Sequence, residues 1–171
     1  MISDAQRAMM MHARALVNLI YEAAERGDQY AGIIAIRTLE SLGDPDLINR
    51  VYNLRASELG YTALHVAVTK GHIPFVKMML ENGSNINHGK MSSLVTPLHI
   101  AVFENNHEMI KFLLSYGHTN INATDQGGWT PLHWASKLLF RHTAELLIEL
   151  GADDGYLTIT GHTAAQLANE Y

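Results

Sequence analysis

A six-residue phrase recurs along this chain at a fixed interval, and it limits the possible folds more tightly than any other feature. Thr62-Ala63-Leu64-His65-Val66-Ala67, Thr96-Pro97-Leu98-His99-Ile100-Ala101 and Thr130-Pro131-Leu132-His133-Trp134-Ala135 begin 34 residues apart. A weaker copy, Thr163-Ala164-Ala165-Gln166-Leu167-Ala168, starts 33 residues after the third. A period in the low thirties marks a stacked array, in which each unit buries its apolar face only against its neighbours.

The residues of the phrase have mechanical roles. Proline suits the first helical turn, where its missing N–H has no helical partner and its φ is already helical. The threonine before it is a natural N-cap. Leucine and alanine then face neighbouring helices. Further on, Gly83, Gly117 and Gly151 each follow an apolar helical stretch and suit a left-handed C′ position. The turn between paired helices carries Gly71 in one unit and Asn105 in the next, both tolerant of positive φ. Leu139 occupies that place in the third unit, which predicts a strained or altered turn.

The residues behind each phrase repeat as well. Behind Thr62 come Gly71-His72, apolar residues 75–80, Asn82-Gly83 and Ile86-Asn87. Behind Thr96 come apolar residues 109–114, Tyr116-Gly117 and Ile121-Asn122, and behind Thr130 come 144–148, Leu150-Gly151 and Ala152-Asp153. This pattern closely resembles the ankyrin repeat: a T-P-L-H-x-A helix, a short turn, a second helix ending in L-L-x-x-G-A-D, and a hairpin leading onward. The resemblance runs from about residue 56 to the end, and residues 12–49 match it loosely. It implies an all-α solenoid of stacked antiparallel helix pairs joined by short β-hairpin-like loops.

Within that frame residues 1–171 read as one domain. Residues 1–11 are a short lead. A helix is predicted from about His12 to Arg26, with Leu16, Val17, Leu19, Ile20 and Ala23 on its apolar side. Arg26-Gly27-Asp28 is a turn, and Ile33, Ile34, Ile36, Leu39 and Leu42 mark a second helix closed by Gly43. Residues 12–49 are then a divergent N-terminal capping repeat. Clear repeats occupy 59–88, 93–122 and 127–153, and a C-terminal cap helix occupies 160–171. Asp44-Pro45-Asp46 breaks the chain, and 48–57 is a connection. Leu94 stands where the family has glycine, which predicts a distorted hairpin. His118-Thr119-Asn120 is one residue longer than its counterpart before Ile121.

Composition narrows the function. The 171 residues include no cysteine, which excludes disulfides and thiolate metal sites and suits a reducing compartment. The expected location is intracellular, in the cytoplasm, with the nucleus as the alternative. A formal net charge of −5 and singly placed lysines at 70, 77, 90, 111 and 137 argue against nucleic acid. No apolar run is long enough to span a membrane.

The ten histidines invite a metal or catalytic reading. His65, His99 and His133 share one repeat position. Stacked helices lie ~8–10 Å apart, whereas zinc holds its nitrogen ligands at ~2.0–2.1 Å, so equivalent histidines cannot share an ion. They read instead as side chains bonding the backbone of the neighbouring turn. His72 and His107, at inter-helix turns, read as local caps. Asp44/Asp46 and Asp153/Asp154 read as solvated turns, without the apolar pocket that acid–base work needs. Rows 78–80, 112–114 and 146–148 read as core. Asn87 and Asn122 match a hairpin position hydroxylated in some ankyrin proteins, although asparagine there serves turn geometry first. No catalytic motif, cofactor site or metal site is expected.

In the ankyrin family partners bind the concave side, made of the fingers and the exposed positions of the first helices. The resemblance carries that role to Tyr61, Thr69 and Lys70; to Val95, Phe103 and Glu104; to Gln126, Trp129, Lys137 and Leu138; and to His162. Phe103, Trp129 and Leu138 are apolar where the fold has no need of it, and they are expected to line up as a binding hot spot. The function implied is a protein–protein interaction module, an adaptor or inhibitor, monomeric when unbound. The alternatives are a dedicated non-catalytic subunit of a larger complex, an effector imitating a host ankyrin regulator, and, last, an enzyme. Elemental analysis of chelator-free protein is expected to find no stoichiometric transition metal. One bound zinc per chain would overturn the structural reading of the repeated histidines.

Overall fold

A computed structural model describes residues 4–41, 61–89 and 93–169. Its helices are α1 (Asp4–Arg26), α2 (Gln29–Ser41), α3 (Ala63–Thr69), α4 (Ile73–Glu81), α5 (Pro97–Phe103), α6 (His107–Ser115), α7 (Pro131–Lys137), α8 (Arg141–Glu149) and α9 (Ala164–Ala168). Among the described residues no strand occurs. The chain divides into two compact units, Met1–Asn85 and Ile86–Tyr171.

In the first unit α1 packs on α3, and α2 packs on α4. Ala13, Val17, Ile20 and Ala23 of α1 and Ala35, Ile36 and Leu39 of α2 are buried, as are Leu64, Phe75, Val76 and Met79. Gly32 permits a close approach: a Cβ there would lie 2.8 Å from Cε2 of Phe75. The first helix begins at Asp4, well before the predicted His12. Its early residues, alanine, glutamine, arginine and methionine, are strong helix formers with no breaker among them. The second begins at Gln29, four residues before Ile33, because the Asp28 carboxylate caps it by accepting the Ala31 N–H at 3.0 Å. Leu42, Gly43, Asp44-Pro45-Asp46 and the 48–57 connection lie outside the described residues.

In the second unit α5 pairs with α6 and α7 with α8, while α5 packs on α7 and α7 on α9. Leu98, Met109, Ile110, Leu113, Leu132 and Leu147 are nearly inaccessible to solvent. Of the expected core rows, 78–80 is buried throughout, but Phe112, Leu114 and Leu146 are only half-buried and Ile148 is exposed. The cap helix expected from 160 starts only at Ala164, because residues 158–163 form the preceding finger, and 170–171 lie outside the described residues.

The same turn closes the first helix of every pair. The N–H groups of the two residues after the C-cap reach back to the helix. In the third repeat Leu139 N–H bonds the Ser136 carbonyl and Phe140 N–H bonds that of Ala135. Such a turn needs one residue in the left-handed region. Gly27, Gly71, Asn105 and Leu139 supply it, with φ of 69°, 74°, 52° and 57°. The Leu139 turn is therefore strained but not altered. Leu94 behaves likewise: its φ of 54° matches the 73° of Gly128 one repeat later, so the leucine takes up the glycine conformation.

His72 and His107 are not local caps. His72 Nε2 donates to the Glu25 carbonyl at 3.2 Å, and His107 Nε2 donates to the Thr143 hydroxyl at 2.8 Å. Each ties its own repeat to a neighbouring one within its unit. The cap of α6 is Asn106, whose side chain accepts the Met109 N–H at 2.9 Å. Thr143, fully buried, passes its own proton to Asn105 Oδ1.

Leu139 is 61% exposed, so its side chain contributes little burial. A left-handed leucine carries a steric cost that glycine lacks. Leu139→Gly is expected to raise stability by roughly 0.5–1 kcal/mol, read as a higher denaturant midpoint. A lower midpoint would show that the leucine packs usefully.

Candidate functional site

The site begins at the start of each first helix. Thr62, Thr96 and Thr130 hold extended backbone angles and cap α3, α5 and α7. Their backbone N–H groups donate to Nδ1 of His65, His99 and His133 at 3.1–3.2 Å. The histidine thus takes the place of the glutamate or glutamine of an ordinary capping box. In the fourth copy Gln166 fills it, its Oε1 accepting the Thr163 N–H at 2.8 Å.

The other ring nitrogen reaches the next finger. His99 Nε2 donates to the Trp129 carbonyl at 2.9 Å, and His133 Nε2 donates to the carbonyls of Tyr156 and His162 at 3.1 and 3.2 Å. A nitrogen facing only carbonyls must carry the proton, and one facing a backbone N–H must be bare. Both rings are therefore neutral, with the proton on Nε2. Burial holds the two histidines below the ordinary imidazole pKa. The bonded carbonyls and the charge of Asp125 oppose that shift without cancelling it.

Asp125 organises the finger between α6 and α7. Its Oδ1 accepts the N–H groups of Gly127 and Trp129 at 2.8 and 2.9 Å, and its own N–H donates to the Trp129 carbonyl. Its Oδ2 accepts the indole N–H of Trp134 at 3.0 Å. Backbone bonds link this finger to its neighbours: Gln126 N–H donates to the Ser93 carbonyl and Ile159 N–H to that of Gly127. Side-chain amides add to the linkage. Asn87 donates to the His118 carbonyl and accepts the Asn120 N–H, and Asn122 accepts the Asp153 N–H.

An aromatic surface stands on this scaffold. The half-buried Trp134 ring meets Phe103 edge to face, centroids 6.1 Å apart at 74°, and meets His99 at 5.4 Å and 64°. Phe103 is 55% exposed and Leu138 37%. Leu138, the C-cap of α7, lies four residues beyond Trp134 and donates its backbone N–H to the Trp134 carbonyl at 3.0 Å. Glu104 and Gln126 are exposed beside this surface, and Lys137 is half-buried at the end of α7.

Phe103 and Leu138, expected to line up beside Trp129, do not occupy corresponding repeat positions. Phe103 ends α5 and corresponds to Lys137, whereas Leu138 is a C-cap and corresponds to Glu104. The Trp129 ring meets His133 of its own repeat at a tilt of 51°, centroids 6.4 Å apart. Tyr61 meets His65 edge to face, centroids 6.0 Å apart, in the first unit. Val95, at that position in the second repeat, is 8% exposed and supports the site from beneath rather than presenting itself to a partner. Thr69 and Lys70 are exposed at the end of α3, although the Thr69 hydroxyl donates to the His65 carbonyl. His162 is half-buried, with its Nδ1 2.9 Å from the Thr160 hydroxyl. Neither Trp134 nor Asp125 stands out as a site residue in the sequence. The one signal for Trp134 is its place at the variable position of T-P-L-H-x-A, where the other copies have Val66 and Ile100.

The model of a single ankyrin repeat matches residues 59–90, and the model of three ankyrin repeats in series matches 89–158. Together they take in more than half of the chain. The chain belongs to the ankyrin-repeat family. Among curated relatives, alpha-latrotoxin-Lt1a of Latrodectus tredecimguttatus is 29% identical over 75% of this chain and 8% of its own length. Alpha-latrotoxin-Lhe1a of Latrodectus hesperus is 30% identical over 56% of this chain and 7% of its own. Ankyrin repeat protein R96 of Acanthamoeba polyphaga mimivirus is 34% identical over 80% of this chain and 12% of its own. The chain therefore spans about a tenth of the length of these relatives. Ankyrin repeats are protein–protein interaction modules, in general without catalysis. Among the described residues no helix is long and apolar enough to cross a membrane, and no group of side chains is arranged to hold a metal ion.

His99 and His133 make the stability of this chain depend on pH. Their folded pKa lies below the unfolded value of ~6.5. Their contribution is complete above that value and is lost as pH falls through it, because the unfolded chain then binds protons that the fold refuses. Denaturant midpoints are expected to fall between pH 7.5 and 5. In His99→Gln, which keeps a capping acceptor, the fall should be shallower though the variant is weaker at pH 7.5. An unchanged slope would clear His99 of the effect.

Proposed function

We propose that this ankyrin chain is an adaptor or inhibitor that grips another protein on the finger and first-helix face of residues 86–169. The observation that carries the reading is the Phe103–Trp134 pair with Leu138 beside it. Three large apolar side chains stand partly exposed on a face whose geometry is held by hydrogen bonds. Such a cluster is a liability in water unless a partner covers it. Aromatic anchors already locked in position lose little entropy on binding, which suits a hot spot. Glu104, Gln126, Lys137 and His162 form the polar surroundings. Tyr61, Thr69 and Lys70 offer the corresponding positions of the first unit. Trp129 contributes chiefly by its ring contact with His133.

Burying a large apolar side chain is worth ~1.5–3 kcal/mol. Phe103→Ala with Leu138→Ala is therefore expected to weaken partner binding at least ~10-fold, a loss of ~1.4 kcal/mol. Helicity should be kept, because both side chains lie outside the core. Lys77→Glu is the control: Lys77 lies on α4, a second helix, 3.8 Å from Glu81. Affinity capture from the native source, followed by titration of the recovered partner, reads the comparison. If Lys77→Glu abolished binding and the double variant bound like wild type, the partner would sit on the second-helix surface of the first unit.

A further inference from the structure

Charge on this face is uneven. Among the described residues of the second unit the cations are Lys111, Lys137 and Arg141, set against seven carboxylates. Lys111 and Arg141 belong to second helices, α6 and α8. Among the described residues of the first helices and fingers, Lys137 therefore stands against Glu104, Asp125, Asp153 and Asp154, while Lys90 lies outside the described residues. Two of those carboxylates adjoin the aromatic surface. Glu104 comes directly after Phe103, and Asp125 holds the Trp134 indole nitrogen.

From this arrangement we infer that the Phe103–Trp134–Leu138 surface takes an arginine-bearing, cationic segment of its partner protein. The inference rests on the protein-binding reading above and names the chemistry of the partner. A guanidinium is planar, stacks on an aromatic face and offers a fork of donors to a carboxylate, whereas an ammonium is a point charge with a tight water shell. Phe103 and Glu104 are both exposed at the end of α5, so an aromatic ring and a carboxylate are offered by one short stretch of the chain. The Trp134 N–H is already bonded to Asp125 and does not compete for the ligand as a donor. The surplus of carboxylates attracts such a segment at a distance and disfavours acidic ones.

The test uses a fluorescein-labelled peptide alternating arginine and alanine, with matched citrulline and glutamate versions, titrated by anisotropy against the whole chain at low and moderate salt. The arginine peptide is expected to bind, and more weakly as salt rises. The citrulline peptide keeps the shape without the charge and should bind about 10-fold more weakly. The glutamate peptide should not bind. Glu104→Gln and Phe103→Ala should each weaken the arginine peptide. In a Trp129→Phe background, Trp134 is the remaining tryptophan, and its emission should change on binding.

Equal binding of the arginine and citrulline peptides overturns the inference, as does wild-type affinity in both Glu104→Gln and Phe103→Ala, or no binding of the arginine peptide. Concentration-dependent dimerisation that Phe103→Ala abolishes would assign the surface to a second copy of this chain and overturn it too. The two readings fail separately. Loss of the native partner in the Phe103→Ala, Leu138→Ala chain without arginine-peptide binding keeps the interface and removes its cationic character. Peptide binding with unchanged native capture removes the interface instead.

Discussion

The imidazoles of His99 and His133 are the joints on which the second and third repeats depend. One ring nitrogen closes the cap of its own helix, and the other holds a carbonyl of the next finger. Two parts of the chain about thirty residues apart are thereby set at a fixed angle by one side chain. His133 goes further, because it holds both arms of its finger through Tyr156 and His162. With both nitrogens engaged the ring has one tautomer and no room for a second proton. A helix start and a finger carbonyl would each be left unpaired without it, and buried polar groups left unpaired are costly. Gln166 keeps the first duty in the fourth copy, its Oε1 accepting the Thr163 N–H.

Local roles were legible wherever one residue type answers one local demand. Pro97 and Pro131 open helices, and Gly83, Gly117 and Gly151 occupy the left-handed place after one. The Leu139 turn was readable for the same reason, since its neighbours at that position are glycine and asparagine. Contacts reaching across repeats were not legible. His72 looks like a cap in sequence because it precedes a helix, yet its partner is the carbonyl of Glu25, 47 residues away. The aromatic surface failed in the same way: helical position says that Phe103 is exposed but not which neighbour its ring meets. Trp134, on the next first helix, is that neighbour, and its ring also meets His99.

Asp125 and Thr158 are a natural comparison of what one finger residue can do. Both accept their own turn: Asp125 takes the Trp129 N–H, and Thr158 takes the His162 N–H at 3.1 Å. Both also donate a backbone N–H across the finger, to Trp129 and to His162. The carboxylate has a second oxygen left over, and that oxygen fixes Trp134. The hydroxyl of Thr158 has no such second arm, and it lies instead 3.0 Å from the Thr160 hydroxyl. A single replacement of hydroxyl by carboxylate thus links a finger to a helix-borne aromatic ring.

The extra residue in the second repeat shows how such a fold tolerates change in length. After α4 and α8 the second residue past the C-cap returns its N–H to the helix, Ser84 to Met79 and Ala152 to Leu147. After α6, His118 takes a φ of 61° and the Thr119 hydroxyl bonds the Leu113 carbonyl in place of that N–H. Asn87 then takes hold of the enlarged loop by the His118 carbonyl and the Asn120 N–H. Because the fingers are fastened by single amides and isolated backbone bonds, a shift in one finger has no continuous ladder along which to spread. A length error is absorbed within the loop where it arises, and the next helix starts in phase. Lineages of such chains can therefore gain or lose finger residues one at a time, sampling new contact surfaces while the helical spacing behind them stays the same.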